Sequence, residues 1–408
     1  MKVERLIYKT SNKCINVVAG KVESLRVNNS TENTVRVYDN GCVGVEGCLG
    51  EANFDTLTQK AAAKLSQGIA YPETHEQPQS LYFDTTMSIL SEDTLIPKIS
   101  HLLHRLSGEN PEFLFSNKIM LNSSESRYES NDGVTYRYKG NQFVISLTIK
   151  HKGSANIMDE SYGCESDSFN ESLICYDVKH KCDAFLRRLP HVEDDVVTVI
   201  GNYEPIQYAL QHFIADMYFN NASLFAGKLG KKLFNKKLNM AVNRNPTQQI
   251  NLEFFDAEGV VNKNYVNYIV KKGVLEKLIT CKRSAAQYNT DNLGSASASY
   301  NGVPNIGLGG FEVENTADTL ADLVKGKAIY LSVTSGGDMT TSGDISMPTM
   351  VAYLYENGRL LGRLPEFTVS VNLLELLNDG FVGVCDNGLF KFGKHKYFVY
   401  KARLVNKS

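Results

Sequence analysis

Tryptophan is absent from the 408 residues, so Tyr (21) and Phe (19) must supply the aromatic bulk of any core. Long apolar runs are missing too: nothing approaches the roughly 18–20 residues that a membrane-spanning helix needs. The amino-terminal run MKVERLIYKTSNKC is charged and then polar. It has no apolar segment and no small-residue cleavage site, so no secretion signal is expected. Net charge is only −2, which leaves no global field to draw the chain to nucleic acid or an acidic membrane. The eight cysteines (Cys14, Cys42, Cys48, Cys164, Cys175, Cys182, Cys281 and Cys385) form no CxxC pair. A chain this long can build a core without covalent staples, so reduced thiols and a cytoplasmic location are expected.

What is present describes a soluble α+β protein. Hydrophobic residues make up 42% and charged residues 22%, and the length suits two domains. In residues 13–48, Val35, Val37, Val43 and Val45 alternate as half-buried strands do, and Asp39-Asn40-Gly41 marks a turn. Asn53–Gly68 reads as a helix capped by Asn53 or Asp55, and Glu92–Ser107 as a second. Residues 111–163 read as strands broken by turns at Asn122–Glu125, Ser130–Gly133 and Lys139–Asn141, before a helix over Asp167–Leu189. Strands and helices are therefore segregated, which argues α+β over alternating βαβ units. The expected division is an N-terminal α+β domain, 1–190, and a C-terminal mainly β domain, 191–408. The second opens with a strand at Val196–Ile200 and a helix over Glu204–Asn221 with the apolar stripe Ile206, Leu210, Phe213, Ile214 and Met217. Strands are expected at 250–256, 265–272, 328–335, 345–356, 366–371 and 396–404, and helices at 316–325 and 371–378. Asn292–Gly310, rich in Gly, Ser and Asn, should be a long functional or mobile loop.

Several segments, in order, resemble one family. Thr34-Val-Arg-Val-Tyr-Asp-Asn-Gly41 with Gly44 precedes a helix holding Ala61, Ala62 and Ala63; Lys118–Ser126 follows. Later come Phe255-Asp-Ala-Glu-Gly259, Tyr268–Leu275, Arg283-Ser-Ala-Ala286, a Gly-rich loop ending in Pro304-Asn305, and Ser335-Gly-Gly337. Thr341-Ser-Gly343, Tyr353–Gly358 and Asn372–Leu377 close the series. Each motif is weak alone, but their order over nearly the whole chain is similar to the TldD/PmbA (TldE) family, whose older description is modulator of DNA gyrase. That resemblance implies a cytosolic dimeric assembly that degrades or matures peptides. In its active subunit a helix carries His-Glu-x-x-x-His, and a Cys near the C-terminus completes a zinc site. Two imidazoles about a turn apart can converge on one metal, which lowers the pKa of a bound water for the Glu to deprotonate.

This chain departs from that pattern. Its helix of 204–221, just before Ser223-Leu-Phe-Ala-Gly227, holds one histidine, His212, and Ile206 and Gln211 stand where the two ligands are expected. Cys385 matches the family's Cys ligand in position but has no histidines to join. His212 and Cys385 are therefore weak metal candidates, and no metal or cofactor is expected in this chain.

Other constellations read blandly. His101-x-x-His104, beside Arg105, lacks a third ligand, and His75-Glu76 lacks a second histidine. His180 and Cys182 would point apart on a helix. Gly307-Leu-Gly-Gly310 is not a dinucleotide fingerprint. Ser335-Gly-Gly-Asp338 reads as a turn, and Lys228, Lys231, Lys232, Lys236 and Lys237 as a solvated helix face. The resemblance thus implies a non-catalytic subunit that pairs with a zinc-bearing TldD-like homologue, or with itself, and handles unfolded peptide, without membrane or direct nucleic-acid binding. Rival readings are a self-sufficient peptidase with an unrecognised site, and a homodimeric regulatory or binding protein.

Overall fold

A computed structural model describes residues 1–202 and 204–405. The first half runs β1 (Lys2–Val18), β2 (Lys21–Asp39), β3 (Cys42–Leu49), α1 (Phe54–Ala63), β4 (Gln79–Asp84), α2 (Glu92–Glu109), β5 (Phe113–Ser130), β6 (Val134–His151), β7 (Glu160–Ser166) and α3 (Glu171–Leu186). Its seven strands make one sheet in the order β3-β2-β1-β5-β6-β4, with β7 also paired to β6. Asn40 and Gly41 both take positive φ (49° and 73°), as a two-residue hairpin between β2 and β3 demands. Asn53 does cap α1, accepting from the Thr56 N–H at 3.0 Å. On α2, Leu95, Ile99, Leu102 and Leu106 are buried at helical spacing against Phe143, Ile145, Leu147 and Ile149, which alternate along β6 in the same core.

The strands are longer than the sequence suggested. β1 begins at Lys2 rather than near residue 13, because its first half is polar and gave no apolar alternation. Two expected turns do not exist: Asn122–Glu125 and Lys139–Asn141 lie in mid-strand, with Asn122 opposite Gln142 and Glu125 opposite Lys139. Their polar side chains are used across a contact. Ser124 Oγ donates to Asn251 Oδ1 at 2.8 Å and Ser126 Oγ to Glu253 Oε1 at 2.7 Å. Gly140 is there because a Cβ would come within 2.9 Å of Asn251 Oδ1.

In the second half the elements are β8 (Val196–Gly201), α4 (Glu204–Phe213), α5 (Ala215–Phe219), β9 (Met240–Asn243), β10 (Val266–Lys271), β11 (Val274–Leu275), α6 (Lys282–Tyr288), β12 (Ala296–Ser297), β13 (Asn305–Ile306) and β14 (Phe311–Val313). Then come α7 (Leu320–Leu323), β15 (Lys327–Thr334), β16 (Asp338–Met339), β17 (Asp344–Glu356), β18 (Arg359–Arg363), β19 (Phe367–Asn372), α8 (Leu373–Leu376), β20 (Phe381–Cys385) and β21 (Tyr397–Val405). Because β15 pairs with both β8 and β17, the path β15-β8-β21-β19-β17 closes on itself as a five-stranded barrel. Closure leaves only the short strands β16, β18 and β20 as edges of this sheet. A smaller sheet runs β11-β10-β9-β14.

Three expectations for this half are corrected. Residues 250–256 form no strand but an irregular segment laid over the first sheet. The helices expected at 316–325 and 371–378 shrink to the single turns α7 and α8. The helix expected over 204–221 breaks at Ile214 (φ −68°, ψ 132°), where the Ile279 N–H donates to the Phe213 carbonyl and the Ala215 N–H to the Ile279 carbonyl. A short β-like pairing thus replaces a turn of helix. The apolar stripe survives the break, with Ile206, Leu210 and Phe213 buried.

Candidate functional site

The first sheet and the second half meet through a buried chain of charges. Lys2 Nζ lies 3.4 Å from Glu4 and 3.0 Å from Glu76. Lys282 Nζ holds the other Glu76 oxygen at 2.8 Å and donates to the Glu258 carbonyl at 3.0 Å. The Glu258 carboxylate accepts from the Tyr71 hydroxyl and from the Lys282 N–H, the latter at 2.8 Å. Glu4 in turn accepts from Tyr38 at 3.0 Å and faces Arg36 at 3.7 Å. Lys2, Glu4, Arg36 and Glu258 are each 1% exposed or less. Buried charges cost several kcal/mol each unless paired and hydrogen-bonded, and here each has such partners.

The Asp256-Ala-Glu-Gly259 loop organises this junction. One Asp256 oxygen accepts from the Glu258 and Val260 N–H groups at 2.9 and 3.0 Å, and the other from the Ala296 N–H at 3.0 Å. That ties the loop to β12. Gly259 sits at φ 70°, and a Cβ there would run into the Tyr128 ring. Burial, then the neighbouring Asp256, raises the Glu258 carboxyl to about 7.

A cavity of about 320 Å³ opens beside this loop. Its walls come from β1, β2 and β5 on one side and from residues 252–257 and 296–300 on the other. Arg36 and Arg244 line it, and so do Glu32, Glu253 and Tyr8. Arg244 donates from Nη1 to the Glu253 and Phe255 carbonyls at 3.2 and 3.1 Å. The Gly-rich segment expected as a mobile loop is pinned here: β12 pairs with β13, and the Thr34 hydroxyl donates to the Tyr300 carbonyl at 2.5 Å. Gly309 admits the Arg244 guanidinium, since a Cβ would lie 2.8 Å from Nη2.

The weak metal candidates do not come together. His212 is buried beside Phe225, with ring centroids 6.0 Å apart. Its Nδ1 accepts the Leu224 N–H at 3.3 Å, its Nε2 has no partner, and burial pulls its pKa down, so the ring is neutral. Cys385 lies at the end of β20 in the other main core cluster, its thiol pushed up to about 12 by burial and then by Asp386. Ile206 is fully buried and Gln211 exposed, and neither side chain can serve as a zinc ligand of this kind. Among the described residues, no group of three or more His, Cys, Asp and Glu is arranged to hold a metal ion. The residues present do not fit the zinc site of a metallopeptidase.

The remaining sequence candidates scatter. His101 and Arg105 both reach Glu171, at 2.9 and 3.4 Å, and His104 is exposed. His75 pairs with Asp132 at 2.8 Å, while its neighbour Glu76 belongs to the junction. His180 Nε2 accepts the Leu360 N–H at 3.2 Å, and the buried Cys182 thiol is raised well above its ordinary range. Ser335, Gly336 and Gly337 are exposed and irregular, and Asp338 opens β16. The lysine run is solvated as expected but lies on turns rather than a helix face. Lys2, Glu4, Arg36, Arg244 and Lys282 escaped the sequence reading. The signal that could have found them was Asp256-Ala-Glu-Gly259 itself, whose acids need buried cations nearby. No helix among the described residues is long and apolar enough to cross a membrane.

Comparison with known proteins bears on the fold. Residues 204–387 match the family model of the PmbA/TldA metallopeptidase C-terminal domain. TldE from Thermococcus kodakarensis aligns in structure with TM-score 0.80 and 15% identity, over 99% of this chain and 96% of that one. A proposed modulator of a DNA gyrase from Thermotoga maritima gives TM-score 0.77 and 15% identity, over 99% and 96%. A proposed modulator of DNA gyrase from Bacteroides thetaiotaomicron gives 0.74 and 16%, over 99% and 94%. No curated protein matches the chain in sequence. At such identities the structural likeness establishes a shared α+β fold.

Proposed function

We propose, from the premise that the chain belongs to the TldD/PmbA family, that it is the non-catalytic, TldE-like subunit of a TldD-type metallopeptidase. The observation that carries this reading is the pair Ile206 and Gln211. One is buried in apolar core and the other faces solvent, at the positions where an active subunit's histidines are expected. Zinc chemistry needs three protein ligands and an open position, and α4 offers neither. A TldD-like partner would then hold the zinc, which would supply a water of lowered pKa as the nucleophile.

What this chain contributes is surface. Unfolded peptide is handled at the junction cavity, where the two-residue strand β12 and the irregular residues 298–300 line the wall beside polar side chains. Extended peptides bind such places through main-chain hydrogen bonds, with pockets for alternate side chains. The test is cleavage of an unfolded, casein-like substrate by this chain alone, by a TldD-type homologue alone, and by the two mixed. Cleavage that appears or strengthens only in the mixture is expected. Chelator-sensitive cleavage by this chain alone overturns the proposal.

A further inference from the structure

We propose that the junction cavity seats a short zwitterionic peptide, its terminal carboxylate directed inward at Arg244 and its ammonium outward at Glu32 and Glu253. The inference rests on the peptide-handling part of the proposed function and names the ligand class for that site.

The inner wall calls for an anion. Arg244 is 6% exposed and forms no ion pair among the described residues. Its Nη1 is satisfied by two carbonyls, but its buried Nε has no partner, and neither has that of Arg36. A guanidinium carries five donors in a fixed fork that matches a carboxylate. Leaving buried donors unmet is costly. Arg36 is already balanced by Glu4 at 3.7 Å, whereas Asp256, the acid deepest beside Arg244, is taken up by three backbone N–H groups. Arg127, half-buried in the same wall, also has an unpartnered Nε but is paired with Glu129. Arg244 is the fully buried guanidinium of the wall with no ion pair among the described residues.

Besides the Arg127–Glu129 pair, the mouth holds two acids with no ion pair among the described residues. Glu32 and Glu253 are half-buried and line the same cavity. Glu253 accepts only a neutral donor, the Ser126 hydroxyl at 2.7 Å. Burial, then Glu253 and Glu32, pushes the Tyr8 phenol up to about 12, which places both acids around that ring. Leu6 and Phe255 give the cavity apolar wall between the two charged ends. At about 320 Å³ it lies at the small end of ligand sites, room for about two or three small residues. A charge gradient over that length selects a molecule carrying both termini and rejects a simple anion.

Calorimetric titration of the full-length chain with trialanine, its C-terminal amide, its N-acetyl form and acetate tests this. Trialanine is expected to bind, amidation to weaken it about tenfold or more, and acetylation to weaken it by a smaller factor. Arg244→Gln should abolish the difference between acid and amide, and Glu253→Gln the difference between free and acetylated amine. Equal affinity for acid and amide overturns the proposal, as does no binding, or acetate competing as strongly as trialanine. Should Arg244→Gln fail to fold, the ligand series on the unaltered chain and the half-exposed Glu253→Gln variant still decide. Failure here, with cleavage still appearing in the mixture with a TldD-type homologue, would leave the subunit reading standing. Binding as expected without such cleavage would do the reverse.

Discussion

The core around α4 and the junction beneath the Asp256–Gly259 loop are both buried, yet they bury opposite chemistries. Around α4, Phe213 stacks on Phe225 with centroids 5.0 Å apart, and Phe234 meets both rings edge-on at 5.9 and 5.1 Å. Here the lone His212 is held neutral by its own burial. At the junction Lys2, Glu4, Arg36 and Glu258 are buried, and the half-buried Glu76 and Lys282 link them. The lesson is that α4 buries apolar groups and one histidine and leaves Gln211 exposed, while buried ion pairs gather where the two halves meet. Function is to be sought at the second place.

The comparison breaks most visibly at Phe213. Truncation to Ala should cost about 3–5 kcal/mol in urea unfolding, while trialanine affinity of the folded fraction stays unchanged. A loss of affinity at full stability would show that the two regions are not separate. Next in size is a pH effect confined to the junction. Glu258 titrates near 4.5 when unfolded and at about 7 when folded. Between those values the native state holds the extra proton, so stability falls as pH rises through the window. Unfolding midpoints at about pH 5 and about pH 8 should differ in that direction, and Glu258→Gln should flatten the difference.

Gly259→Ala tests whether the loop is as tightly seated as Tyr128 implies. A strained φ and a ring clash together predict about 1–3 kcal/mol lost, read by thermal unfolding with and without trialanine. Smallest of all is Gln211→His. On an exposed helix position it should change stability by no more than about 0.5 kcal/mol. Combined with Ile206→His it should still bind no stoichiometric zinc, because Cys385 lies in a different core cluster from α4. Tight zinc binding by that double variant would mean α4 keeps a site the family once used.

Legibility in the sequence followed apolar periodicity. The β2–β3 hairpin, α2 and the stripe of α4 all announce themselves through Val, Leu or Ile at fixed spacing, and each is where that spacing puts it. The first half of β1 and the middles of β5 and β6 were misread or missed because their polar residues look like turns. Those residues satisfy partners such as Asn251 and Glu253 far along the chain. A long-range contact leaves no local pattern. The candidate site was half legible: the Asp256-Ala-Glu-Gly259 motif stood out, but the cations it gathers come from residues 2, 36, 244 and 282 and share no spacing. Ile214 shows the same limit, since its helix break comes from pairing with Ile279.

The central claim is that metal chemistry belongs to a partner and not to this chain. Zinc content, measured on this chain alone and on its purified complex with a TldD-type homologue, tests it most directly. The account predicts no bound zinc on the chain alone and one zinc for each pair of chains in the complex. Stoichiometric, chelatable zinc on the chain alone would contradict it.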